Sequence, residues 1–337
     1  MGTVIEAIAK SVPDNIVSNL MLAQYMETSD DWIRQRSGIV ERRWARDGNS
    51  SCGKTTSLAM SVDATKQVLE TAGRSANEVD AIVYATISAD NDLPGNSVGL
   101  LHSIGSTRQI PVFEVRNHCT GFLYGLSIAH AYLATNACDL ILLLGFELQS
   151  TGLNLTNSGR DTAVLFGDGG GAALLSRGGD ERGIISICLE SDGSYADKLG
   201  VESPGFARSC YIEPADFEES ANKVYPRMEG RLIFKMASQK MPEMVRKAVK
   251  QAGLSLGDLK LIVPHQANQR IIDMLEAELA PCCPVFSNIA KYGNTTAGTI
   301  PLALAEAQQQ GILIPGDLVC LVSFGAGFSW GAVVLRW

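Results

Sequence analysis

Cys119, His265 and Asn294 are the residues of this chain whose types and settings could support covalent chemistry. Cys119 follows an apolar strand at residues 111–115 through Arg116, Asn117 and His118. It precedes a stretch rich in small residues, 120–133, that reads as a buried helix. A cysteine at a helix start meets unpaired amides and the positive end of the helix dipole, and both favour the thiolate, its nucleophilic form. A buried structural thiol fits the same position, because free cysteine is among the most buried residue types. His265 stands at the end of the apolar run 261–263, the C-terminal strand end where α/β proteins gather their sites. Asn294 lies in the loop 291–298, ahead of a helical stretch. These two residues also have ordinary readings, as a satisfied surface imidazole and a helix cap.

The elements that must position them are short, largely β-branched apolar runs at residues 81–86, 112–115, 140–144, 172–175, 261–263, 285–286 and 318–322, many separated by amphipathic stretches. That alternation predicts an α/β chain whose sheets are covered on both faces. The halves also echo each other. Residues 72–84 match 252–264, residues 110–113 match 283–286, and residues 139–144 match 317–322, in the same order and at nearly the same spacing. The ordered set points to two copies of one βα unit joined near residues 177–183. We therefore divide the chain into 1–177, which carries the cysteine, and 178–337, which carries the histidine and the asparagine. The loop of Asn294 is the counterpart of the loop of Cys119, so the site belongs between the copies, where strand ends converge.

Composition narrows the class. With 337 residues, 46% hydrophobic and 19% charged, the chain reads as compact and soluble. A net charge of -8 without a dense basic run argues against nucleic acid or an anionic membrane as the main partner. The start lacks the apolar core of a secretory signal, and the longest apolar run, 140–146, is too short to cross a bilayer. A cytoplasmic protein is expected. The eight cysteines show no CxxC pair or finger spacing, so neither a metal site nor a disulfide framework is expected. One pattern misleads: residues 48–55 satisfy GxxxxGK[ST] letter for letter. A phosphate loop needs a buried strand leading into it, and residues 41–47 are too charged to be one, so a nucleotide-binding protein is only a remote alternative.

Several blocks carry a family resemblance: Thr28, Trp32, Arg36 and Gly38; Cys119 to Phe122; Phe166 to Gly169; Pro264 to Asn268; Gly293 to Thr295; and Phe324 to Gly331. In these, and over essentially its full length, the chain closely resembles the β-ketoacyl-acyl-carrier-protein synthase III enzymes of the thiolase superfamily. The resemblance implies a five-layered αβαβα fold and a homodimer. It implies that Cys119 takes an acyl group from acyl-coenzyme A, and that malonyl-acyl carrier protein, or malonyl-coenzyme A, then loses CO2 and attacks the acyl-cysteine. His265 and Asn294 would steady the enolate oxyanion, and the amides of Cys119 and Ala326 would form a second oxyanion hole. Coenzyme A would contact Trp32, Arg36 and Asn268, and Leu93 would reach into the partner's acyl pocket. Carrier docking would use Lys235 and Arg270. No cofactor is implied beyond the coenzyme A thioester substrates.

The sequence departs from the family pattern in places. Ala326 replaces a common glycine, the adenine-facing arginine has no clear match beside the longer segment 149–158, and residues 275–279 lack the lysines many relatives carry. The main rival stays inside the fold: an acyltransferase that delivers the acyl group to a hydroxyl or amine in specialised metabolism. A non-catalytic thioester-binding subunit is the rival of another class, and the intact Cys119, His265 and Asn294 speak against it.

Overall fold

The computed structural model describes residues 2–46, 55–179, 182–218, 222–279 and 282–337. The phosphate-loop pattern at 48–55 lies outside the described residues except for Thr55. Upstream of it, Glu41–Arg43 pairs only with Ile16–Ser18 in a two-stranded ribbon. Downstream, Thr56 caps the helix Ser57–Ala72 by accepting a hydrogen bond from the Ala59 amide, and Gly73 ends it at φ +64°.

Two mixed sheets organise the chain. The first runs Gly2–Ser11, Gly169–Gly178, Leu140–Glu147, Ala81–Ala85, Val112–Val115. The second runs Leu261–Pro264, Leu318–Gly325, Ser329–Arg336, Gly183–Ser191. Both contain the same mixture of parallel and antiparallel pairs, in the same chain order. The strand expected at 285–286 is reduced to one bridge between Ile262 and Val285, which occupies the place that Val112–Val115 takes in the first sheet. The expected list omitted Gly2–Ser11, Gly183–Ser191 and Ser329–Arg336. Polar residues and glycines interrupt all three, so none reads as an uninterrupted apolar run.

Side-chain alternation along the strands builds the layers. Val83 and Leu143 of the first sheet, and Leu321 and Val333 of the second, face one shared core with Phe122, Leu126, Ile300 and Leu304. That core encloses the helices Gly121–Ala134 and Thr299–Gln309 between the sheets. On the opposite face, Ile82, Leu142 and Leu144 pack on Met60, Ala64 and Val68 of the helix Ser57–Ala72. Ile262, Cys320 and Val322 pack on Met244, Val245 and Ala248 of the helix Gly230–Gln251. The result is a five-layered αβαβα body, the thiolase-like fold.

At the centre the layers approach too closely for side chains. A Cβ built on Gly145 would sit 2.5 Å from the Ala297 carbonyl oxygen, against the turn that follows Asn294. Gly145→Ala is therefore expected to lower unfolding stability by about 1–3 kcal/mol, the usual cost of overpacking. Urea denaturation measures this, and an unchanged midpoint would contradict the claimed contact.

Candidate active site

Each half places a short 3-10 turn ahead of its central helix, His118–Thr120 in one and Thr296–Gly298 in the other. His118 and Thr296 lie at positive φ, +50° and +45°, so both turns begin in the left-handed region that non-glycine residues rarely enter. The turns meet at the centre: a Cβ on Gly121 would lie 3.4 Å from the Ala297 Cβ. Cys119 sits in the first turn, and its carbonyl accepts a 2.8 Å hydrogen bond from the Ser323 hydroxyl. The Val322 carbonyl accepts the His265 amide at 2.8 Å. Neighbouring residues of one strand thus anchor the cysteine and the histidine.

Thr296 joins the other two groups. The Asn294 Oδ1 accepts the Thr296 amide at 2.8 Å, which leaves its Nδ2 as the side chain's donor. The Thr296 carbonyl lies 3.0 Å from the Thr299 hydroxyl, which is itself 2.7 Å from His265 Nδ1. That hydroxyl has one proton and two acceptors. When it points at the carbonyl, Nδ1 carries the ring proton and Nε2 is an acceptor; when it points at Nδ1, Nε2 becomes a donor. Nε2 is buried and has no partner among the described residues. The structure thus brings Cys119, His265 and Asn294 to one place.

The Phe166 to Gly169 block holds this arrangement from beneath. Phe166 bridges Asn294, and the Gly167 amide donates to the Asn294 carbonyl at 3.0 Å. The buried Asp168 carboxylate accepts the amides of Ala45, Gln149 and Ser150 at 2.7–2.9 Å.

Burial dominates the electrostatics. His265, 2% exposed, is stripped of charge, with its pKa pulled down to about 3 by desolvation. Cys119 keeps some exposed surface, yet its thiol is pushed up to about 12, first by burial and then by the Glu147 carboxylate. Its own amide and that of Ala326 act the other way, favouring the anion. The expectation that a helix tip would favour the thiolate is thus corrected. The two amides do favour the anion, but burial and a neighbouring acid outweigh them.

The other expected residues divide into two groups. Asn268 Nδ2 donates to the Arg36 carbonyl at 2.9 Å, and the Arg36 guanidinium lies 4.2 Å from the Trp32 ring centre, so these three adjoin. Arg160 lies 4.8 Å from the same ring centre. No arginine besides Arg36 was matched to this ring from the sequence. Arg270 packs on Phe234, which brings it near Lys235, and both basic residues are exposed. Leu93, 89% exposed, lies apart on the surface. Sequence reasoning missed Thr299, Arg160 and Glu147. Only Glu147 leaves a legible signal, as an acid closing a wholly apolar strand.

With a pKa near 3, the His265 ring should stay neutral from about pH 5 to 9, where an ordinary histidine would titrate. Nitrogen NMR of the labelled ring measures this, and a midpoint near the ordinary value would refute the burial argument. Thr299→Val should change the Nδ1/Nε2 proton distribution, while Thr299→Ser should restore it.

Two family profiles match the chain: 3-oxoacyl-[acyl-carrier-protein (ACP)] synthase III over residues 113–193, and the C-terminal part of the same family over residues 249–337. A β-ketoacyl-[acyl-carrier-protein] synthase III of Desulfotalea psychrophila is 38% identical over 338 residues, covering 100% of both chains. The crystal structure of the Aquifex aeolicus 3-oxoacyl-[acyl-carrier-protein] synthase III superimposes with a TM-score of 0.88 at 34% identity, covering 100% of both chains. A priming β-ketosynthase from the R1128 polyketide pathway gives the same TM-score at 28% identity, over 99% of this chain and 96% of that one. A fold, a site and full-length similarity lead to one assignment: the chain belongs to the β-ketoacyl-acyl-carrier-protein synthase III family.

Proposed function

We propose that the chain condenses an acyl-coenzyme A primer with a malonyl thioester, with loss of CO2, through a thioester on Cys119. The observation that carries this reading is the meeting of the Cys119 turn with the Ala297 turn, which sets a cysteine beside the buried His265–Thr299 pair and the Asn294 carboxamide. In acylation the sulfur attacks the thioester carbonyl carbon and the bond to coenzyme A breaks. Coenzyme A leaves as a thiol, taking up the proton that Cys119 gives up. The acyl carbonyl oxygen then lies beside the amides of Cys119 and Ala326, which polarise it for the next attack.

In condensation the malonyl C–C bond breaks, CO2 departs, and the electron pair stays on the thioester as an enolate. His265 Nε2 and Asn294 Nδ2 serve as donors to its oxygen. A ring with a pKa near 3 cannot hold a positive charge at neutral pH, so His265 steadies the enolate as a neutral donor without protonating it. That role requires the Thr299 hydroxyl to point at Nδ1. The enolate carbon attacks the acyl carbonyl, Cys119 leaves as a thiolate, and it regains a proton from water. The chemistry needs no cofactor beyond the thioester substrates.

Trp32, Arg36, Arg160 and Asn268 form the proposed coenzyme A end, where an aromatic face meets guanidinium donors suited to phosphate. Lys235 and Arg270 offer a basic surface to an acidic carrier protein, and Leu93 contributes to the acyl pocket of a second subunit. Residues 1–177 and 178–337 are the two halves of a cytoplasmic homodimer subunit. Among the described residues no helix is long and apolar enough to cross a membrane. The likeness to a priming ketosynthase favours a second setting, chain initiation in a specialised pathway, by the same chemistry.

Acyl-coenzyme A thioesters of graded chain length, read by intact mass, test the nucleophile. Wild type should gain one acyl group and Cys119→Ala none; an undiminished adduct on the variant would sink the assignment. His265→Ala and Asn294→Ala should still acylate but lose about 10²–10³ in malonyl decarboxylation, the usual cost of one oxyanion donor. Normal condensation by either would refute the enolate role. Trp32→Ala should raise KM for the acyl-coenzyme A with little change in kcat. An unchanged KM would remove Trp32 from the site.

A further inference from the structure

Glu147 closes the strand Leu140–Glu147 and is 0% exposed. Its Oε2 accepts hydrogen bonds from the Thr86 hydroxyl at 3.2 Å, the Ile87 amide at 3.1 Å and the Ser88 hydroxyl. Its Oε1 is buried without a partner among the described residues. The Thr296 hydroxyl lies near enough to favour the carboxylate without completing a hydrogen bond to it. All these groups are neutral, so a buried acid is held by dipoles rather than by a cation. Burial therefore prevails and lifts its pKa to about 7.

The carboxyl and the Cys119 turn are held by the same two segments. A Cβ on Gly121 would meet Ala85 at 3.1 Å and Ala297 at 3.4 Å, the neighbours in sequence of Thr86 and Thr296. The charge of the carboxylate accordingly acts on the thiol. The other titratable groups around Glu147 contribute no positive charge. Tyr84 is a buried phenol pushed up to about 12, His265 is neutral, and the Asp168 carboxyl is saturated by amides and the Ser150 hydroxyl.

We propose that Glu147 and Cys119 are linked acids that together hold at most one negative charge over the working pH range, so that ionisation of Glu147 limits the thiolate available for acylation. The proposal rests on Cys119 being the nucleophile. Two like charges in one desolvated site titrate as a pair: the first proton leaves easily, and the second leaves only at much higher pH. The linkage is reciprocal. When condensation expels Cys119 as a thiolate, Glu147 binds its own proton more tightly, so the expelled charge does not meet a second one. Glu147 is a positioning residue in this scheme. It acts on the reaction through the sulfur and forms no bond to substrate.

The test is the pH dependence of Cys119 alkylation by iodoacetamide, resolved by peptide mass so that the exposed cysteines do not contribute. In wild type the rate should climb about tenfold per pH unit and then bend to a plateau near neutrality, where further base ionises Glu147 instead of the thiol. Glu147→Gln should remove the bend, giving about tenfold faster alkylation at around pH 9, since one neighbouring charge moves a pKa by at least about one unit. Ser88→Ala, which keeps the carboxyl but removes a donor that favours its charged form, should move the bend to higher pH. Superimposable wild-type and Glu147→Gln profiles would overturn the proposal, as would a bend unmoved by Ser88→Ala. Alkylation reads the free thiol, whether or not that thiol can accept an acyl group. A missing acyl adduct would therefore end the nucleophile reading without deciding this one.

Discussion

Thr296 is the constraint on which the site depends. Its amide fixes the Asn294 carboxamide, its carbonyl reaches His265 through Thr299, and its turn presses on both Gly121 and Gly145. It does this at φ +45°, a conformation that a β-branched residue enters only when the surroundings demand it. Such strain costs of order 1–3 kcal/mol and persists where packing over-determines the backbone. Here the packing is the contact between two duplicated turns, and His118 carries similar strain on the other side. The arrangement of the His265 and Asn294 groups is therefore built into the packed fold, the kind of preorganisation that meets developing charge without reorganising.

The same burial sets the electrostatic character of the centre. The thiol, the Glu147 carboxyl and the imidazole are each driven toward their neutral forms. A site whose thiol and imidazole are neutral gives up little hydration when an uncharged thioester enters. Two guanidinium groups flank the Trp32 ring, away from these neutral groups in sequence. The added methyl of Ala326 leaves its amide in place, and that amide favours the anion of Cys119.

How far the sequence disclosed this depends on the kind of signal each part left. The buried strands Ala81–Ala85 and Leu140–Glu147 were legible because both faces are covered, so every position before Glu147 is apolar. Gly2–Ser11 was not, because it lies at a sheet edge and Thr3, Glu6 and Lys10 break its apolar residues into short pieces. The internal repeat exposed the duplication, and from it the facing of the Cys119 and Asn294 loops. Thr299 and Arg160 were invisible for another reason: their importance lies in a partner distant in sequence, His265 for one and Trp32 for the other. The thiol's ionisation was misjudged because a helix start is a local feature, whereas burial and the Glu147 charge come from the assembled fold.

Duplication also explains why the site is asymmetric. Continuing the repeat places Ala85 where the second half has His265, and the matching turns place Ala297 where the first half has Cys119. One copy carries the cysteine and the other the histidine, and alanine stands at the matching position of each twin. These alanines are packing requirements. Gly121 lies within 3.4 Å of both alanine Cβ atoms from its own would-be Cβ, so a larger side chain at either position would force the turns apart. The two copies can present their groups to one substrate only because each has a small residue where its twin has a functional one.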